Sequence, residues 1–347
     1  MSQDRICKHI RLSGRLPAVY SYLKTERCCN TLLTYNVGGC CLGGKGGIFM
    51  NNLTLLDGAF GTRIWAKTGE SKPVWMYNIL RPDVIREVTA EYVAAGAQIV
   101  QANTFGANRI SVEKSSDYSV EDVVKAAVRI AREAVQGTSV RVGLSAGPLT
   151  VMMEPYGDLE EDEAAEIYDE IFRFGIEEGA DLIQLETFID LNMLCVAAKE
   201  AKKYGVPVLC TMSFEESGRT IFGNSVEDMA EELGNIGVDG VGLNCSLGPD
   251  KAAPIMKKFA EVTNLPLIFK PNAGLPVMDT DGNMVNPYTK EDFSDEIADV
   301  VSLLSYVGGC CGTDPTYIAL LKERYADPYQ QPSKTGCRKI AVYGPGH

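Results

Sequence analysis

From residue 50 onward, short apolar runs rich in β-branched residues alternate with segments whose apolar positions recur every three to four residues. Eight runs read as strands: Thr54–Ala59, Gln98–Phe105, Val140–Gly147, Asp181–Phe188, Val206–Phe214, Gly240–Ser246, Leu265–Asn272 and Val301–Gly309. Between them the helical period predicts helices such as Asp83–Ala95, where Pro82 falls in a first turn that tolerates proline, and Val120–Val135, with Ser119 as its cap. Three helical segments pass into a strand through one kind of turn: Gly96-Ala-Gln, Gly179-Ala-Asp and Gly237-Val-Asp. A glycine just past a helix supplies the left-handed C-cap. This strict alternation predicts an α/β fold, the (β/α)8 TIM barrel. The competing open, doubly wound sheet is disfavoured, because the first βα turn, Leu56-Asp-Gly-Ala-Phe-Gly, lacks the glycine fingerprint that cradles a dinucleotide.

The first fifty residues break the rhythm. They hold seven Lys/Arg against two Asp/Glu, and five cysteines: Cys7, Cys28, Cys29, Cys40 and Cys41. Residues 1–50 are therefore expected to be a basic, cysteine-rich, poorly ordered leader, followed by the barrel over 51–327 and a C-terminal tail over 328–347. Gly39–Lys45 (GCCLGGK) approaches a phosphate-binding loop, but Gly46 stands where the loop needs a hydroxyl. The adjacent cysteine pairs depart from the C-x2-C spacing of a zinc knuckle.

The 347-residue chain carries a net charge of −13 and a pI near 4.8, which repels phosphate backbones and argues against a nucleic-acid partner. No run reaches the roughly 18 apolar residues of a membrane helix, so no membrane partner is expected either. Eleven cysteines, an odd number without a secretory signal, predict reduced thiols and a cytoplasmic location. The only histidines, His9 and His347, lie near the two ends, so a histidine base or ligand in the barrel is excluded. The candidate chemistry is that of thiols.

In a (β/α)8 barrel the active site is built at the C-terminal ends of the strands. The first strand ends in Asp57-Gly58-Ala59, the fourth in Glu186-Thr187-Phe188, the sixth in Asn244-Cys245-Ser246 and the eighth in Gly308-Gly309-Cys310-Cys311-Gly312. Cys245, Cys310 and Cys311 would thus converge on one rim. Three thiolates suit zinc and leave a fourth position for an exogenous ligand, the pattern of a catalytic site. Other readings stay open. The vicinal pair can be a redox dithiol, although C-x-x-C is the usual redox spacing. Cys245 alone can be a small buried hydrophobe, as Cys195 and Cys210 are expected to be. Asp57 and Glu186 read as caps or surface carboxylates when taken singly, and as an ammonium-binding pair when taken with the thiols. Asn103 and Asn272 read equally well as loop-capping amides.

The series LLDGAFGT (55–62), QANTFGAN (101–108), QLETF (184–188), GLNCSLGP (242–249), KPNAGLP (270–276) and GGCCGTDPTYI (308–318) resembles the homocysteine S-methyltransferase family. The likeness is greatest to its cobalamin-dependent methionine synthase branch and covers roughly residues 53 to 325. It implies one zinc ion per chain on Cys245, Cys310 and Cys311, with the homocysteine thiolate as fourth ligand attacking a methyl group to form methionine. It also implies that Asp57 and Glu186 hold the substrate ammonium, that backbone N–H groups near Gly58 and Ala59 hold its carboxylate, and that Asn244 adjoins them. Zinc deprotonates a bound thiol outright, so such a site needs no histidine. A chain binding cobalamin through D-x-H-x-x-G would need a histidine in its folded part and more length. Methylcobalamin is therefore expected on a separate corrinoid protein. The alternative is an S-methylmethionine- or betaine-type donor, which would want an aromatic cage, with Phe60, Phe105, Tyr156 and Phe188 as candidates by position. A second alternative is a non-catalytic thiol- or zinc-binding module.

Overall fold

The computed structural model describes residues 53–275, 277–278 and 284–326. The expected leader (1–50) and tail (328–347), the GCCLGGK loop and the paired cysteines at 28–29 and 40–41 lie outside the described residues. Eight parallel strands make up the sheet: β1 (Thr54–Leu55), β2 (Ile99–Ala102), β3 (Arg141–Ala146), β4 (Leu182–Phe188), β5 (Val208–Met212), β6 (Gly240–Asn244), β7 (Leu267–Lys270) and β8 (Tyr306–Val307). They pair in the order β1-β8-β7-β6-β5-β4-β3-β2. A parallel bridge between Leu56 and Ile99, with the Gln98 N–H donating to Leu55 O at 2.7 Å, joins β2 back to β1 and closes the barrel. This is the (β/α)8 TIM barrel that the alternation predicts. None of the described helices is long and apolar enough to cross a membrane.

The three Gly-X-Gln/Asp turns explain how helices feed the sheet. Gly96, Gly179 and Gly237 take φ of 102°, 101° and 80°, the left-handed conformation that ends a helix. The third residue of each turn then makes a second contact. Gln98 Oε1 accepts from Leu55 N–H (2.9 Å), Asp181 Oδ2 from Val142 N–H (2.7 Å) and Asp239 Oδ2 from Val208 N–H (2.9 Å). Each side chain thus satisfies a backbone donor near the start of a neighbouring strand, where the ladder has no carbonyl to offer. The predicted helix at Asp83–Ala95 is observed as Pro82–Ala95. That at Val120–Val135 is observed as Val120–Ala134, with Ser119 Oγ accepting from Asp122 N–H at 3.0 Å.

The eighth strand differs from its prediction. Val301–Leu303 forms a 3-10 turn closed by Leu303 N–H donating to Val300 O at 2.8 Å, and only Tyr306–Val307 pairs with β7. An apolar run has the same composition whether it is strand or buried turn, so periodicity alone could not separate them. The main core lies between the strands and the helices, with Tyr92, Tyr168, Phe172 and Phe259 among its largest buried side chains. A smaller cluster of Leu56, Ile99, Leu182, Leu209 and Ile268, flanked by Tyr306, forms a separate apolar group. Two residues further along the strands the same alternation brings in Gln101, Gln184, Thr211 and Lys270, all buried. Glu186 follows Gln184 on β4 with the same spacing. The barrel therefore changes from apolar to polar toward the C-terminal ends of its strands, where substrates bind in this fold.

Candidate active site

The thiols of Cys245, Cys310 and Cys311 lie within 4.8 Å of one another, and Cys245 Sγ is 3.9 Å from Cys311 Sγ. A tetrahedral zinc with bonds of about 2.3 Å holds its sulfurs about 3.8 Å apart, so the three residues fit the ion closely. β7 braces them from between. Cys245 N–H donates to Lys270 O (3.1 Å) from the β6 side, and Cys310 N–H donates to Pro271 O (2.9 Å) from the β8 side. The glycines beside the pair are needed for clearance. A Cβ on Gly308 would stand 2.6 Å from Asp57 O, and one on Gly309 would stand 2.3 Å from Thr313 Oγ1. Thr313 Oγ1 in turn donates to Cys310 O at 2.7 Å and fixes the turn. Among the three thiols, charge settles first on Cys245. Hydrogen bonds from Cys310, then Cys311, outweigh burial and, with Ser246 and Asn272, draw it down to about 3. The same bonds to Cys245 push the Cys311 thiol up to about 11 and raise that of Cys310 well above its ordinary value.

Strain accompanies this arrangement. Thr187, Cys245 and Ser246 have φ of 67°, 61° and 54°, a region unusual for non-glycine residues and most of all for a β-branched one. Such outliers persist only where surrounding structure fixes them, and they cluster at functional sites. Asn244 is the fixing group. Its Oδ1 accepts from Thr187 N–H and Thr211 Oγ, both at 2.7 Å, while its Nδ2 donates to Thr187 Oγ1 at 2.8 Å and reaches Cys310 Sγ at 3.8 Å. Fully buried, Asn244 ties the end of β4 to the thiol cluster.

Asp57 and Glu186 are brought together from opposite parts of the chain, and a residue that the sequence reading passed over lies between them. Lys270 Nζ is 3.0 Å from Asp57 Oδ1 and 3.7 Å from Glu186 Oε2, with side chains 4%, 1% and 12% exposed in that order. Burial alone would lower the Lys270 ammonium. The charges of Asp57, Glu186 and Cys310 outweigh it and raise the group instead. The remaining oxygens are also engaged: Asp57 Oδ2 accepts from Gln101 N–H at 2.6 Å, Glu186 Oε1 from Ser145 Oγ, and Glu186 Oε2 from Gln184 Nε2 at 3.3 Å. A lysine closing the apolar run Leu-Ile-Phe-Lys was the available signal, since a charge in a buried strand demands partners. What the sequence does not display is that those partners lie 213 residues away, at Asp57, and on β4.

The first βα turn is tightly packed. Ala59 N–H lies 3.3 Å from Thr313 Oγ1, Ala59 O accepts from Tyr92 Oη at 2.8 Å, and a Cβ on Gly58 would stand 2.7 Å from Thr313 Oγ1. Asn103 is a brace, donating to Val74 O and to Asn78 Oδ1, both at 2.8 Å. Of the four aromatics considered for a cage, Phe188 is ruled out. It is fully buried 6.2 Å from Tyr168 in the outer core, because the irregularity between Leu185 and Phe188 turns it away from the rim. Phe60 stacks on Tyr92, whereas Phe105 and Tyr156 are exposed, Tyr156 edge-on to Phe222. Cys195 is half-buried on the helix Leu191–Lys202 with its thiol pushed up to about 11 by burial, and Cys210 is fully buried in β5.

The profile of the family described as homocysteine S-methyltransferase matches residues 54–325. The chain belongs to that family and so to a class of methyltransferase. It is 30% identical over 286 residues to the methionine synthase of Mycobacterium tuberculosis, covering 76% of this chain and 24% of that one. To the methionine synthase of Mycobacterium leprae it is 30% identical over 258 residues, or 70% and 21% of the two chains. It thus spans about a quarter of the length of these curated relatives. Among solved structures, the metallated form of the homocysteine methyltransferase MmuM from Escherichia coli matches with a TM-score of 0.66 at 21% identity, covering 78% of this chain and 96% of that one, and shares the barrel.

Proposed function

We propose that this protein transfers a methyl group to the thiolate of homocysteine, forming methionine, with zinc held by Cys245, Cys310 and Cys311 and with a methylcorrinoid on a separate protein as donor. The observation that carries the reading is the convergence of three thiols at the C-terminal rim, at spacings suited to tetrahedral zinc. Bound there, zinc would draw the proton from a fourth thiol and keep it as a thiolate near neutral pH. The chain's own residues do the rest. Asn244 and Thr313 hold Cys310 in place, and Glu186 and Asp57, both shared with Lys270, lie toward the amino-acid end. The carboxylate is assigned to the turn at Gly58 and Ala59, where Ala59 N–H donates to Thr313 Oγ1 until substrate takes it. Fixing the acceptor sulfur in one direction leaves the donor a single line of approach, which lowers the entropic part of the barrier. As the sulfur–carbon bond forms, the methyl group leaves its donor, and the bonding pair stays with the donor.

The test uses zinc-loaded protein mixed anaerobically with homocysteine and free methylcobalamin, with formation of cob(I)alamin followed optically. Homocysteine-dependent demethylation is expected. If cobalamin stays methylated while S-methylmethionine or betaine yields methionine, the donor assignment is overturned and the acceptor assignment stands. If no donor reacts, the non-catalytic thiol- or zinc-binding module replaces the enzyme.

A further inference from the structure

The carboxylate pair meant for the substrate ammonium already holds an ammonium of its own. Asp57 is fully buried, and its two oxygens accept from Gln101 N–H and from Lys270 Nζ. Glu186 gives one oxygen to Ser145 and shares the other between Gln184 and Lys270. Every oxygen of the pair thus has a protein donor, and the charge of Asp57 is answered by a cation 3.0 Å away. A substrate amine could reach Asp57 only by displacing Lys270, which would strand a buried ammonium. The more exposed carboxylate of the pair is that of Glu186, at 12% against 1% for Asp57.

Resting on the reading of this site as a homocysteine acceptor, we propose that Lys270 occupies the ammonium seat. On this basis the protein binds short ω-thiol carboxylic acids that lack an α-amine to within about thirtyfold of homocysteine, an amine contribution of one hydrogen bond rather than a full ion pair. Recognition then rests on the thiol, through the cysteine cluster, and on the carboxylate, through the turn at Gly58 and Ala59, where Ala59 N–H exchanges the neutral Thr313 Oγ1 for a charged acceptor. The amine adds one hydrogen bond to a carboxylate that Lys270 already shares. Lys270 is a specificity-determining residue, since removing it would restore to Asp57 and Glu186 their full demand for a cation.

Calorimetric titration of zinc-loaded protein with L-homocysteine and with 4-sulfanylbutanoate, its analogue without the amine, tests this without a methyl donor. The two dissociation constants are expected to lie within about thirtyfold, the middle of the range of a single charge-assisted hydrogen bond. In Lys270→Met the preference for homocysteine should widen by at least about tenfold, a change in ratio that general loosening of the fold would not produce. Should that variant not fold, Glu186→Gln, which keeps the side-chain shape, should bring the two constants to near equality. A wild-type preference well beyond thirtyfold overturns the proposal, as does a ratio that neither variant moves. If neither thiol binds while zinc is retained, the acceptor reading itself falls, a result distinct from strong selection for the amine.

Discussion

Cys310→Ala is expected to strip the protein of zinc and to abolish methyl transfer to homocysteine. The substitution removes one of only three sulfurs in the cluster, and two thiolates bind the ion weakly. Among the described residues no other His, Cys, Asp or Glu joins the cluster. The carboxylates of the same rim, Asp57 and Glu186, are turned to Lys270, and residues 53–326 contain no histidine. The backbone should tolerate the change, because the turn is fixed by Cys310 N–H on Pro271 O and by Thr313 Oγ1 on Cys310 O, neither of which involves the sulfur. Metal analysis after dialysis, alongside circular dichroism, checks this. Loss of zinc from a folded protein is expected. A variant that keeps full zinc content and turnover would remove Cys310 from the site.

Asp57→Ala is expected to destabilise the protein by about 3–5 kcal/mol, the range for breaking a buried ion pair on one side. Lys270 would be left with Glu186, 3.7 Å away, as its one carboxylate partner among the described residues. The Gln101 N–H, now 2.6 Å from Asp57 Oδ2, would be left buried without an acceptor, a further cost of about 1–3 kcal/mol that overlaps the first. Urea unfolding measures the difference. Asp57→Asn, which keeps an oxygen in place, should lose less. A change below about 1 kcal/mol in Asp57→Ala would mean that Lys270 finds another partner, and that the pair does not organise the top of the barrel.

The fold was readable because its repeat is written locally. Each strand is a short β-branched run, and each Gly-X-Gln/Asp turn carries its conformation in one glycine and its anchoring group two residues later. The thiol cluster was readable for a related reason. Once the strands are counted, the fold brings their ends to one rim, and two adjacent cysteines stand out there because close packing accounts for the flanking glycines but not for a pair of thiols. Three features were not readable. The eighth strand shrank to Tyr306–Val307 because an apolar run does not distinguish a strand from a buried turn. Phe188 was a cage candidate by its position at the end of β4, and the irregularity between Leu185 and Phe188, which no local pattern announces, leaves it buried in the outer core. Lys270 was missed because pairing of charges across 213 residues leaves no mark on local sequence, although a lysine in a buried strand end is itself a warning that a partner exists.

Zinc-edge X-ray absorption on the metal-loaded protein, with and without homocysteine, tests the central claim most directly. Three sulfurs at about 2.3 Å are expected before the substrate is added, and four afterwards. A sulfur count that stays unchanged on adding homocysteine, or a first shell dominated by nitrogen and oxygen, would contradict a thiol acceptor activated on Cys245, Cys310 and Cys311.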